Sequence, residues 1–378
     1  MATNKEQNKL NVPHLRFPEF HGEWCVSTIG EQFDLYSGNT PSRLNKEHFE
    51  GNVNWITSGE LKEHYISDTK EKISEDAANN LKLLHPGTFV IAIYGLEADG
   101  VRGTGSITCK ESTISQACMA FTQKGDVKNE FLYSWYKKHG NIIGIKYAQG
   151  TKQQNLSYDI LEKFHIAYPS QDEQDKLIKF ISLLDERIAS QSKLIEKLES
   201  LIKGIVQKIV RNNKPNVRLA ECLECKSLTL QESEVCEQGT YPVYGANGIV
   251  GYLDNYSTEG EAVYIIKDGS GVGTVSYVTG KCSATGTLNT LQAKEGYSLQ
   301  YFYYLLKVFN FEPYKTGMTI PHIYFKDYGK AKVFCPSYTE QLQYARLLSA
   351  IESNLSIEIN IQTNLSLQKQ YLLRQMFI

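Results

Sequence analysis

The residues best suited to binding chemistry lie in two basic stretches interrupted by glycine. Residues 137–158 read KKHGNIIGIKYAQGTKQQNLSY and hold four lysines and no acidic residue. Residues 307–326 read KVFNFEPYKTGMTIPHIYFK and hold three lysines and one acidic residue. Lysines can neutralise phosphates, and amides and hydroxyls can contact base edges. The pattern indicates nucleic-acid binding, with an ordinary solvated surface as the alternative.

Two further glycine-rich stretches follow apolar, strand-like runs. GVRGTGSI (residues 100–107) follows TFVIAIY, and GSGVGTV (residues 269–275) follows AVYII. Such loops at strand ends are places where a protein carries binding residues. The predicted DNA contacts in the first half are Arg102, Thr104, Lys146, Tyr147, Lys152, Gln153 and Gln154. Those in the second half are Tyr244, Asn247, Lys267, Ser270, Tyr314, Lys315, Thr316 and His322.

Motifs of catalysis and of metal binding are missing from the sequence. No Gly-x-Gly-x-x-Gly follows a strand-like run, and Gly280-Lys281 is followed by Cys282, so it does not complete a phosphate loop. Cys222-x-x-Cys225 lacks the second ligand pair that a structural zinc site needs. We therefore predict a protein that recognises nucleic acid and has no catalytic residues or metal site.

The segments that should position these residues occur twice in the sequence, as an internal repeat. Pro-Ser-x-x-Glu-Gln occurs at residues 169–174 and again at 336–341, 167 positions later. A serine followed three residues later by glutamate is the capping-box pattern of a helix start. Each copy therefore predicts the beginning of a helix, capped by its serine and its glutamate.

An apolar seam follows each copy of the phrase. Alternating steps of four and three from Leu177 to Ile209 are apolar at nine of ten positions, and the equivalent positions of the second copy at seven of ten. Such helices are long, about 60 Å for the first at about 1.5 Å per residue, so they should pair with each other. Two unrelated amphipathic helices are the alternative. The predicted seam residues are Leu177, Ile181, Leu184, Ile188, Ile195, Leu198, Ile202, Leu348, Ile351, Leu355, Leu365 and Leu372.

The order of these features predicts a globule, a long helix, a second globule and a second long helix. The boundaries are an N-terminal tail at residues 1–21, globules at 22–170 and 212–337, and helices at 171–211 and 338–378. Apolar runs are too short to cross a membrane, and the N-terminus is polar. Scattered cysteines favour a reducing compartment. We expect a cytoplasmic protein that does not contact a membrane.

Several of these stretches resemble the specificity subunit of type I restriction-modification systems. They are VPHLRFPEF from Val12, the paired Pro-Ser-x-x-Glu-Gln phrases, LLDERIASQSKLIEKL from Leu183 and YPVYGANGIVGY from Tyr241. The resemblance covers nearly the whole chain. It implies an α+β fold with two strand-rich target recognition domains, separated by two long helices that form an antiparallel coiled coil, with an internal pseudo-two-fold repeat.

The resemblance also implies a function and partners. Each domain would read one half of an asymmetric, bipartite site in double-stranded DNA. The length of the coiled coil would set the number of base pairs between the two half-sites. Two methyltransferase subunits and the restriction and translocase subunits would bind this chain. This chain would hold no cofactor, while its partners would use S-adenosylmethionine, ATP and Mg.

Two other classes of protein would explain parts of the sequence. A single-chain restriction and methylation enzyme would need catalytic domains for which the repeat leaves no room in 378 residues. A coiled-coil scaffold without DNA specificity would explain the helices but not the repeated Gly, Lys and Gln loops. The sequence therefore favours a DNA-reading subunit over both.

Overall fold

A computed structural model describes residues 11–98, 100–150, 154–227, 229–317 and 319–378. The chain divides into two compact units. Unit 1 is Met1–Ser190 with Ile361–Ile378, and unit 2 is Gln191–Asn360. No helix within the described ranges is long and apolar enough to span a bilayer.

Unit 1 is a mixed helix and strand domain. Its helices are α1 (Ile29–Gln32), α2 (Glu75–Asn79), α3 (Asn129–Tyr147), α4 (Tyr158–Leu161) and the first half of α5 (Gln171–Asn212). Its strands are β1 (Cys25–Thr28), β2 (Phe33–Ser37), β3 (Val53–Ile56), β4 (Tyr65–Ile66), β5 (Lys72–Ile73), β6 (Phe89–Ala92), β7 (Gly105–Thr108), β8 (Ser112–Ile114), β9 (Cys118–Gln123) and β10 (His165–Tyr168). Short 3-10 turns lie at Lys46–Phe49 and Ser58–Glu60.

The main sheet of unit 1 has the strand order β2-β9-β6-β7-β4. The apolar run TFVIAIY supplies β6, which lies at the centre of the sheet and is buried along its whole length, as expected for a strand covered on both faces. Its Phe89 pairs with Phe121 of β9, and α3 covers the sheet with buried Phe131 and Tyr136. A smaller sheet has the order β5-β3-β8, and β1 pairs with β10.

Unit 2 repeats this plan. Its helices are α6 (Leu219–Cys222), α7 (Leu299–Val308), α8 (Phe325–Tyr328) and α9 (Tyr338–Met376), whose second half belongs to unit 1. Its strands are β11 (Val217–Arg218), β12 (Leu223–Ser227), β13 (Tyr241–Gly245), β14 (Gly248–Leu253), β15 (Glu261–Ile266), β16 (Val275–Thr279), β17 (Ser283–Ala284), β18 (Leu288–Ala293) and β19 (Lys332–Val333). Further 3-10 turns lie at Glu232–Glu234 and Glu312–Tyr314.

The sheets of unit 2 correspond to those of unit 1 except at β4, which has no counterpart in the four-stranded main sheet of unit 2. The order β12-β18-β15-β16 matches β2-β9-β6-β7, and the pair β11-β19 matches β1-β10. The parallel pairing of β13 with β17 matches that of β3 with β8. The repeat inferred from short phrases therefore extends to the topology of both globules.

Two glycines of the repeated loops have different physical reasons. A Cβ on Gly105 would lie 2.8 Å from the ring of Phe89 and 2.9 Å from the carbonyl of Val90, so the close packing of β7 on β6 requires glycine. Gly273 has φ +92°, a conformation that side-chain-bearing residues rarely adopt.

The two helix starts differ in their caps. At α9, the Ser337 hydroxyl and backbone N–H both donate to Glu340, and the Glu340 N–H donates to the Ser337 hydroxyl, as predicted. At α5 the predicted use of Glu173 is wrong. Its carboxylate, almost fully buried, accepts hydrogen bonds of 2.8 and 2.7 Å from the Arg16 guanidinium. A cation brought by the N-terminal segment replaces the local cap.

The glutamine of the repeated phrase joins each globule to its long helix. Gln174 is buried, and its Oε1 accepts from the N–H of Lys128, the N-cap of α3, at 3.0 Å. Gln341 is buried, and its Oε1 accepts from the N–H of Ser298, the N-cap of α7, at 2.9 Å. Each amide also donates to the carbonyl of the proline in its own phrase. The glutamine therefore fastens a domain in both copies, whereas the serine and glutamate form a capping box only in the second copy.

Removing this fastening should destabilise the domain that it holds. We expect Gln341→Ala to lower the free energy of unfolding of unit 2 by about 1–3 kcal/mol, because the buried Ser298 N–H loses its acceptor. Chemical denaturation would measure the change. Gln343→Ala, at an exposed position of the same helix, is the control, and equal stabilities of the two variants would contradict the role of Gln341.

The predicted seam residues are all buried or half-buried. In unit 1, Asp185 of α5 pairs with Lys369 of α9, and Leu177, Leu372 and Met376 belong to one core cluster, as an antiparallel helix pair requires. In unit 2, Ile202 shares a core cluster with Leu348 and Leu355.

Polar seam positions are matched with polar partners. Lys369, which interrupts the apolar seam of α9, binds Asp185 of α5. Glu358 accepts hydrogen bonds from the buried amide of Gln191 at its carboxylate and its carbonyl. Buried polar groups are tolerated when each has a partner, so these polar positions of α9 do not break the pairing.

Candidate nucleic-acid interface

In unit 1, the loop after α3 folds back on itself and onto the loop after β6. Asn155 makes isolated β-bridges with both Gln149 and Tyr94. The Leu96 N–H donates to the carbonyl of Gln154 at 3.0 Å. Two of the predicted segments are thus brought together around an open cleft of about 490 Å³.

Arg102 and Gln154 support this loop pair. Arg102 Nη2 donates to Gln154 Oε1 at 3.0 Å, and the aliphatic part of Arg102 packs 3.2 Å from where a Cβ on Gly144 would lie. The N–H of Gln154 donates to the Glu97 carboxylate at 2.8 Å, which lowers the pKa of Glu97. Both predicted residues are half-buried and already hold partners within the protein.

The other predicted residues of unit 1 lie around this pair. Lys146 and Tyr147 are exposed in the last turn of α3, and the Tyr147 ring contacts Phe164 edge to face. The Thr104 hydroxyl donates to the carbonyl of Val101 at 2.7 Å and stabilises the turn before β7. Lys152 and Gln153 lie outside the described residues.

Unit 2 builds the same junction with different side chains. His322 makes isolated β-bridges with Thr316 and Asp268, 167 positions after the bridge between Gln149 and Asn155. The His322 Nδ1 and the Asp268 carboxylate lie 2.6 Å apart.

The loop at residues 285–287 connects the His322–Asp268 pair to the β13–β14 hairpin through backbone hydrogen bonds. The N–H of Thr285 donates to the carbonyl of Tyr244, and the N–H of Lys267 donates to the carbonyl of Thr287, both at 2.9 Å. The carbonyl of Lys267 in turn accepts from Ile323 at 2.9 Å. Backbone hydrogen bonds therefore bring Tyr244, Lys267 and His322 to one junction.

The corresponding backbone bonds are present in unit 1. The N–H of Ser115 donates to Ile56, that of Ile93 to Ala117 and that of Leu156 to Ile93, at 2.8–2.9 Å. Each unit thus presents three loops held by the same main-chain pattern, while the exposed side chains differ.

The remaining predicted residues of unit 2 lie at or beside these loops. Asn247, at the tip of the hairpin, and Ser270 are exposed. Tyr314 stacks on Phe309, and Lys315 pairs with Glu312 at 2.6 Å, so this lysine is partly neutralised.

Sequence reasoning missed three exposed aromatic residues beside the junctions. Tyr94 and Tyr158 line the cleft of unit 1 and are 36% and 43% exposed, and Tyr324 of unit 2 is 47% exposed. Exposed rings can stack on bases or contact the sugar-phosphate backbone. Tyr158 closes the basic stretch of unit 1, but only its position beside the cleft distinguishes it from a core tyrosine.

Cys222, the first residue of the Cys-x-x-Cys pair, contacts another thiol in the core of unit 2. Its thiol is buried against that of Cys335, and the hydrogen bond between them raises the pKa of Cys222. Among the described residues, no group of three or more His, Cys, Asp or Glu side chains is arranged to hold a metal ion.

Each loop junction lies within one of the two matches to a single family model. A model of the type I restriction modification DNA specificity domain matches residues 21–200 and 213–367. The chain belongs to this family, which supplies specificity and not catalysis.

Individual relatives agree with the family. The chain is 28% identical over 185 residues to the type I restriction enzyme MjaIX specificity subunit of Methanocaldococcus jannaschii, covering 47% of this chain and 42% of that protein. It is 22% identical over 371 residues to the EcoprrI specificity subunit of Escherichia coli, covering 88% of each.

Solved structures share the fold. The S subunit of a type I restriction-modification system from M. genitalium has a TM-score of 0.68 at 20% identity, covering 97% of this chain and 99% of that chain. A chain from a study of complex assembly and conformational transition of the type I R-M system has a TM-score of 0.55 at 15% identity, covering 94% and 97%. These likenesses confirm the predicted fold class.

Proposed function

We propose that this chain is the DNA sequence-recognition subunit of a type I restriction-modification complex and reads an asymmetric, bipartite target. The observation that carries this proposal is the loop junction that both units build with one main-chain pattern and different exposed residues. Equal scaffolds give each unit the same kind of contact with DNA, and different side chains give each unit its own half-site.

The proposed partners follow from the family. Two methyltransferase subunits dock on this chain, and the restriction and translocase subunits join the complex. Methyl transfer from S-adenosylmethionine and cleavage driven by ATP with Mg take place in those subunits. The role of this chain is to bind the target DNA and so to position those subunits on it.

The lysine at the centre of the unit 2 junction offers a test. We expect Lys267→Ala to weaken DNA binding by the assembled methyltransferase and to lower the salt dependence of log K by about one unit, because one phosphate contact is lost. Gel shifts at several salt concentrations would measure both quantities.

Lys226→Ala is the matched control. Lys226 is exposed on β12, where it donates to Gln292, and it lies outside the junction. Equal affinity and equal salt slope for wild type and Lys267→Ala would place Lys267 off the DNA and would contradict the proposed interface.

A further inference from the structure

A buried histidine connects the sheet edge of unit 1 to two helices. His64 directly precedes β4, and its carbonyl accepts from Ile107 of β7 at 2.8 Å. Its Nε2 lies 2.8 Å from the Glu130 carboxylate of α3, and its Nδ1 lies 3.1 Å from the Asp185 carboxylate of α5. The His64 side chain is 9% exposed.

These contacts define the protonation state that fits the site. A neutral imidazole has one N–H and can donate to only one of two carboxylates, whereas an imidazolium can donate to both. Asp185 also binds the Lys369 ammonium, so its carboxylate is ionised. The His64 ring is stacked between Tyr65 and Tyr133, with ring centroids 4.1 and 4.0 Å away, and aromatic faces favour a cation.

The surroundings of His64 contain groups of both signs. Burial alone would lower the pKa of His64, but the hydrogen bonds that its ring donates to Asp185 and Glu130 offset this effect and the pKa lies above its usual 6.5. Burial, with a smaller effect from Lys369, lowers the pKa of Lys137 to about 8. The titratable and charged groups that face this site are Glu63, Tyr65, Cys109, Glu130, Tyr133, Lys137, Asp185 and Lys369.

Unit 2 has a carboxylate at the equivalent position but a different set of donors. Glu352 lies 167 positions after Asp185, and it accepts from the hydroxyls of Tyr303 and Tyr304 at 2.8 Å and from the Lys307 ammonium at 2.9 Å. Burial raises the pKa of both phenols above the usual value of 10, and the pKa of Glu352 is lowered. Both phenols stay protonated and Glu352 stays ionised between pH 6 and 8.

We propose that His64 is a proton-operated latch that fastens the β4 edge of unit 1 to α3 and to the long helices, and that the Glu352 anchor of unit 2 does not respond to pH in the same range. The latch is independent of the proposed DNA recognition. Combined with it, the latch makes reading by unit 1, and not by unit 2, weaker as the pH rises.

The sign of the effect follows from linkage. Because the folded pKa of His64 is raised, the stabilisation is fully present below pH 6.5 and is lost as the pH rises through the folded pKa. Lys137 acts in the opposite direction, since its lowered pKa means that the cost of burying its charge is relieved only above about pH 8. His139 of α3, whose pKa is lowered by burial, acts in the same direction as Lys137. A fall in stability as the pH rises from 6 to 8 therefore has the sign of His64 alone.

Two measurements on the full chain test the latch. The first is an NMR titration of the imidazole Cε1–H signals, with His64 assigned by its loss in His64→Phe. We expect a His64 midpoint above 6.5. A midpoint at or below 6.5 would overturn the proposal.

The second measurement is hydrogen exchange at pH 6 and pH 8 in peptides that cover β4, corrected for the intrinsic exchange rate. We expect wild-type protection to fall by up to about tenfold for each unit by which the folded pKa exceeds the unfolded one. His64→Phe, which keeps a ring between the two tyrosines, should show the low protection at both pH values. Tyr303→Phe, the matched change in unit 2, should alter protection there equally at both pH values.

Unchanged wild-type protection, or a fall in protection with rising pH that persists in His64→Phe, would contradict the latch. If His64→Phe does not fold, Asp185→Asn serves instead and should lower the His64 midpoint. In that case the signal whose midpoint falls in Asp185→Asn is assigned to His64, and its midpoint in the wild type decides the question.

Discussion

Replacing residues 213–337 with the corresponding segment of a relative should change one half of the methylated DNA target and leave the other half unchanged. This segment lies between the end of α5 and the beginning of α9, and it contains the whole loop junction of unit 2. Since the junction of unit 1 is built from other residues, its half-site should persist. Mapping of methylated positions in cells that express the chimera with the methyltransferase subunit would show the new target.

The reciprocal exchange of residues 22–170 is the control and should change the opposite half-site. Both chimeras keep the Gln174 and Gln341 fastenings on the helices, so a relative with equivalent N-cap residues is the best donor. Alteration of both half-sites by either exchange would contradict the modular account.

A second large effect is expected at Phe131, in the core of unit 1. Phe131 is fully buried and packs with Trp24 of the N-terminal segment and Phe377 of the C-terminal segment, at centroid distances of 5.8 and 5.1 Å. We expect Phe131→Ala to lower the free energy of unfolding of unit 1 by about 3–5 kcal/mol, because the cavity lies where three chain segments meet.

Hydrogen exchange during denaturant titration would assign this loss to a unit. Protection should fall in β6 and β9 well before it falls in β15 and β18. Ile142→Ala, at a position of the same helix that is 51% exposed, should leave both units within about 0.5 kcal/mol of wild type. Simultaneous loss in both units for Phe131→Ala would mean that the two units unfold together.

Local patterns made the architecture predictable. The seam from Leu177 and the Pro-Ser-x-x-Glu-Gln phrases predict helices because apolar spacing and caps act within a few residues. The apolar run that forms β6 could be predicted as a buried strand for the same reason. The repeat then transferred each inference from one half of the chain to the other.

Contacts between distant segments could not be predicted in this way. The cation that binds Glu173 comes from Arg16, 157 positions away, and nothing near Glu173 announces it. The two carboxylates that bind His64 lie on separate helices. Both arrangements depend on tertiary packing, which short-range spacing does not encode.

The candidate interface was predictable in part. The basic stretches mark the loops that the structure brings together, but the roles of single residues depend on orientation. From the sequence, the side-chain amide of Gln154 is expected to be available for DNA. In the structure its carbonyl oxygen accepts from Arg102. Lys315 counts as a cation in the sequence, whereas it pairs with Glu312.

The central claim is that this chain supplies DNA sequence specificity through two different units. Its most direct test is single-molecule sequencing of DNA from cells that express the cognate methyltransferase subunit with and without this chain. We expect methylation of one asymmetric, bipartite target that appears only when the chain is present. Identical methylation in both cultures, or a target that is continuous or symmetric, would contradict the account.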